Sequence, residues 1–77
     1  MLIEQGSVIT LNNGEKFIVD DILNHNNKKY LYSINQEDIL DIEIFELIND
    51  VNLVPVDESL FDELLVKFNE LNNQTNE

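Results

Sequence analysis

The first part of this chain is a series of short apolar runs, rich in β-branched and aromatic residues and separated by polar turns, and from residue 57 the apolar positions take up a helical period. Ser7-Val8-Ile9-Thr10-Leu11 is short and β-branched, the pattern of a strand. Asn12-Asn13-Gly14-Glu15 follows. Asn-Gly is a strong hairpin signal, because both residues tolerate positive φ. Lys16-Phe17-Ile18-Val19-Asp20 reads as the return strand and can continue to Leu23, with Phe17 and Val19 facing one way and Ile18 and Ile22 the other. A polar loop is expected over Asn24-His25-Asn26-Asn27-Lys28. A third strand is expected over residues 30–34, with Tyr30, Tyr32 and Ile34 on one face.

Residues 35–50 satisfy two periods at once. Asp41-Ile42-Glu43-Ile44 alternates as a half-buried strand does, whereas Leu40, Ile44, Leu47, Ile48 and Val51 fall at helical spacing. Isoleucine at 39, 42, 44 and 48 favours a strand, with a β-bulge expected near Phe45-Glu46 where the parity shifts. Asn49-Asp50 reads as a turn into Val51-Asn52-Leu53-Val54, and Pro55, lacking an amide donor, marks an edge or the strand's end. Leu60, Phe61, Leu64, Leu65, Phe68 and Leu71 then form one stripe of a helix over 58–71. Asp57 or Ser59 can cap it, and Glu63 and Lys67 stand one turn apart. Residues 72–77 read as a frayed polar tail. The expected fold is α+β: one domain over 1–71, an antiparallel meander or small barrel of about five strands, with the C-terminal helix closing one opening.

The order Gly6-Ser7-Val8-Ile9-Thr10-Leu11, Asn13-Gly14-Glu15-Lys16-Phe17, Asn27-Lys28-Lys29-Tyr30-Leu31-Tyr32 and Leu53-Val54-Pro55-Val56-Asp57 resembles the small acidic uncharacterised proteins of low-GC Gram-positive bacteria and their phages. That resemblance implies a fold and supplies no catalytic residues.

Composition narrows the function. The 77 residues carry 16 acids, 4 lysines and no arginine, a formal net charge of −12. Direct binding to nucleic acid or to an anionic membrane is not expected, since both would repel the chain. Cysteine is absent, which removes thiolate and disulfide chemistry. Neither a signal peptide nor a membrane-spanning run is legible, and a cytoplasmic location is expected. So short a chain has a slim stability margin, and a homodimer sharing a core is one remedy.

No enzyme is expected, and no cofactor or metal. The only histidine, His25, sits in the expected polar loop without an orienting partner. There is no GxSxG elbow, no phosphate-cradling glycine loop and no EF-hand spacing.

The charge distribution is the candidate functional feature. Ten acids and no base lie between Tyr30 and Val66. Asp38, Asp41, Glu43, Glu46, Glu58, Asp62 and Glu63 are the candidate partner-binding residues, forming one negative surface if the helix start packs beside the fourth strand. Such a surface suits an inhibitor or regulator that occupies the basic groove of a nucleic-acid-binding protein. Small acidic phage proteins that block restriction, CRISPR or repair enzymes are similar in size and charge. The alternative is a housekeeping or mobile-element interaction module, held by strand edges or the helix stripe, whose charge serves only solubility. Crowded carboxylates should carry raised pKa values in either case.

Overall fold

The computed structural model describes residues 3–49 and 52–73, with side chains described to Glu70. Asp50, Val51, the Leu71 side chain and residues 74–77, for which a turn, a strand start, a stripe position and a tail were expected, lie outside that set. Five strands run in chain order: β1 Val8–Thr10, β2 Lys16–His25, β3 Lys28–Asn35, β4 Ile42–Ile48 and β5 Asn52–Pro55. Each pairs antiparallel with the next, giving one sheet of order β1-β2-β3-β4-β5 curled into a half-barrel. Helix α1, Glu58–Asn73, completes the α+β fold and reaches two residues past the expected end.

The turns follow from local chemistry. Gly14 closes the first hairpin at φ 91°, where a side chain would be strained. The second hairpin corrects the expected five-residue loop. His25 pairs with Lys28, leaving only Asn26 and Asn27 as the turn, at φ 54° and 64°. Positive φ at both central residues matches the right-handed twist of the strands, and asparagine tolerates it. A two-residue turn was hidden inside a longer polar run.

Register supplies a second correction. The β3–β4 and β4–β5 ladders run without a shift, so no bulge lies near Phe45-Glu46. The irregularity is in β2, between Val19 and Asp21. The extra residue inverts the parity of everything after it. Ile22 therefore joins Phe17 and Val19 on one face instead of opposing them.

Two cores result, one on each side of the sheet. The inner face carries Ile9, Phe17, Val19, Leu31, Phe45 and Leu47, flanked by Ile3, Leu11, Ile22 and Leu53. Phe17 and Phe45 meet edge-to-face with ring centroids 5.6 Å apart, the geometry that aromatic quadrupoles favour. The outer face carries Tyr30 and Ile44, covered by Leu64 and Phe68 of α1 with Leu60, Phe61 and Val56 around them. The helix thus lies against the outer face rather than closing an opening of the barrel. Adjacent residues Tyr30 and Leu31, and again Ile44 and Phe45, are buried in opposite cores.

Asp57 is the cap: its Oδ1 accepts from the Leu60 amide at 2.8 Å, and its carbonyl accepts from Phe61. Val56 donates to the Ile44 carbonyl, which sets the alternation in β5 so that Pro55 faces the open edge, where a missing donor costs nothing.

Phe45→Ala should destabilise the fold by about 3–5 kcal/mol, the usual cost of emptying an aromatic core site. Asp57→Ala should cost about 1 kcal/mol through the lost cap. Urea unfolding followed by circular dichroism measures both.

Candidate acidic interaction surface

The seven candidate carboxylates fall into four settings. Asp38 and Asp41 belong to the β3–β4 connection, which is braced around the buried side chain of Asn35. The Asn35 amide donates to Asp41 Oδ2 at 3.0 Å, and its Oδ1 accepts from the Glu37 backbone at 2.9 Å. Asp38 Oδ1 accepts from the Leu40 amide at 3.1 Å. An Asx-type contact of this kind fixes loop shape. Both acids thus have a local structural task, and Asp41 precedes β4 instead of lying within the expected strand. The network holds Ile39 and Leu40 out in solvent, 75% and 87% exposed.

Glu43 and Glu46 take opposite faces of β4. Glu43 shares the inner face with Phe45 and Leu47 and pairs with Ser33, which is fully buried. Burial pushes its carboxyl above the ordinary 4.5, and the neighbouring charges of Asp41 and Glu15 add to the rise. Glu15, in the β1–β2 turn, was not a candidate from sequence, because only the curl of the sheet brings it to the start of β4. Glu46 faces the helix side, with an oxygen 4.0 Å from Lys28 Nζ.

The remaining three lie on α1. With Leu64 and Phe68 turned inward, Glu58 and Asp62 stand exposed one turn apart. Glu63 leans the other way, its Oε2 3.6 Å from His25 Nε2. That contact replaces the expected pairing of Glu63 with Lys67 and moves His25 from a solvated loop to the end of β2 beside the helix. Exposed Glu70 continues the outward face, and exposed Val66 lies among the acids.

The single negative surface expected from sequence is therefore divided. Glu46, Glu58, Asp62 and Glu63 lie on the helix side of the sheet, whereas Glu43 lies on the inner side with Asp41 and Glu15 close by. Among the described residues, the contacts between acidic and basic side chains are His25–Glu63, an ion pair only when the imidazole is protonated, and Lys28–Glu46; both are partly solvated, and such pairs contribute little. The helix acids keep most of their field. Lys28 and Lys29 lie together at the β2–β3 hairpin end, where Asn24, Asn27 and Asn49 help to line a shallow depression of about 420 Å³.

No helix among the described residues is long and apolar enough to cross a membrane, and no cluster of three or more metal-ligating side chains occurs among them. Comparison of the chain with protein-family models, curated proteins and solved structures gives no match.

Glu43 generates a pH prediction. Its raised folded-state pKa means that the folded chain takes up a proton more readily than the unfolded one. The stability linked to this group is fully present below about pH 4.5 and is lost as pH rises through the folded value. Glu43→Gln should therefore be more stable than the parent at pH 7, with the difference closing as pH falls to 4.5. Urea midpoints measured across that range test it, and a pH-independent difference would contradict it.

Proposed function

We propose that this chain is a non-enzymatic acidic binding protein that docks on the basic, nucleic-acid-binding groove of a partner protein and so excludes nucleic acid from it. The observation that carries the reading is the outward face of α1. Glu58, Asp62 and Glu70 project from a capped helix anchored by Leu64 and Phe68, which fixes the spacing of their backbone positions, and Glu63 flanks them on the His25 side. Grooves that bind nucleic acid present lysine and arginine in a fixed array, and carboxylates carried on a preformed helix answer it without a backbone ordering cost. A net charge of −12 steers the encounter and makes it fast and salt-sensitive. An anti-restriction or anti-CRISPR role in a phage or mobile element is the biological setting this chemistry suits. Asp38 and Asp41 brace their own loop, so the working set narrows to the helix acids with Glu46 beside them.

A second reading draws on a different observation. The helix stripe is spent on the sheet, with Leu64 and Phe68 buried, so an interaction module cannot offer it. Ile39 and Leu40 are offered instead, on a loop whose shape is fixed from behind by Asn35.

The test starts from a partner captured from native host extract and identified. Its affinity should fall steeply between ~50 and 200 mM salt, and duplex DNA should compete for the same site. Glu58→Lys, Asp62→Lys and Glu70→Lys combined should leave circular dichroism unchanged and weaken binding by 100-fold or more, roughly, mostly through the on-rate. Binding that survives those reversals and is lost in Ile39→Ser with Leu40→Ser assigns the loop instead.

A further inference from the structure

The outer face of the sheet is only partly covered by α1. Beyond the helix a row of β-branched side chains crosses four strands in register: Val8 opposite Ile18, Ile18 opposite Ile34, and Ile34 opposite Ile42. Val8 is 52% and Ile18 38% exposed, and Ile34 and Ile42 are half-buried. Four strands span about 14 Å at the usual strand spacing. The helix forms one wall of the step, for Phe68 and Asn69 border a groove with Ile34 and Asp20.

We propose that this ladder is the interface with a second copy of the chain. Charge selects that occupant. Ile18 is flanked on its own strand by Lys16 and Asp20, both exposed on the outer side. A two-fold axis in the plane of contact, running along the ladder, reverses the strand direction of one copy relative to the other. Each ladder residue then meets its own counterpart, and Lys16 of one copy meets Asp20 of the other, twice over. A net charge of −12 opposes association over most of the surface, whereas the ladder has Lys16 on one side and Asp20 and Asp21 on the other, so two copies related by this axis can approach there. The interface belongs to the small, transient class. It uses none of the helix-borne acids of the proposed function, so either reading can fail without the other.

Sedimentation equilibrium of the full chain tests it. The mass should rise from 9.0 kDa towards twice that value with concentration, more readily at ~0.5 M salt than at ~0.02 M, since screening lowers the net repulsion. Ile18→Glu should weaken association at least 10-fold with unchanged thermal unfolding at low concentration. Lys16→Asp alone should weaken it, and Lys16→Asp with Asp20→Lys should restore it. A monomer at every concentration and salt overturns the proposal. So does a dimer indifferent to Ile18→Glu, or one that the double exchange fails to restore.

Discussion

One extra residue in β2 sets the shape of this protein. A ten-residue strand without a bulge would place Ile22 opposite Phe17 and Val19, dividing the inner core and setting an isoleucine against the helix. The irregularity between Val19 and Asp21 lets the strand feed the inner core along its whole length and gives Leu23 to the outer one. A bulge also bends and twists the strand that bears it, which favours the curl by which the inner face encloses itself. The helix is then free for the other side.

That division explains how so short a chain sustains two cores. Strand β3 is buried on both faces, with Leu31 in one core and Tyr30 in the other, and β4 repeats the arrangement with Phe45 and Ile44. Each central residue therefore supports a different layer from its neighbour. Large branched and aromatic side chains are needed at nearly every such position, and the absence of alanine and tryptophan is consistent with small layers filled by mid-sized groups. A large-to-small change in either layer reaches the sheet they share.

The acids take what surface remains. Some maintain the fold: Asp57 caps the helix, Asp38 and Asp41 shape the β3–β4 connection, and Asp21 accepts from the Ile22 amide beside the bulge. Glu43 is held partly out of water at a cost to the charged form. Glu58 sits in the first turn of the helix and Glu63 contacts His25, whereas Asp62 and Glu70 are exposed and make no such contact among the described residues. Function is therefore more reasonably sought on the outward face of α1 than across the whole set of carboxylates.

Much of this was legible in the sequence. Alternation and β-branching mark the strands, Asn13-Gly14 the first hairpin, and the stripe from Leu60 to Phe68 the helix, because each depends on neighbours within a few residues. The fourth strand was legible by the same preference for branched side chains. The Asn26-Asn27 turn was not, since all five residues from Asn24 to Lys28 are polar and nothing local marks which pair turns. The position of the bulge, the face that receives the helix and the separation of Glu43 from Glu46 and the helix acids were decided by tertiary packing. Parity in a strand is a local property, but which face is inside, and which carboxylates become neighbours, depends on the register of strands far apart in the chain.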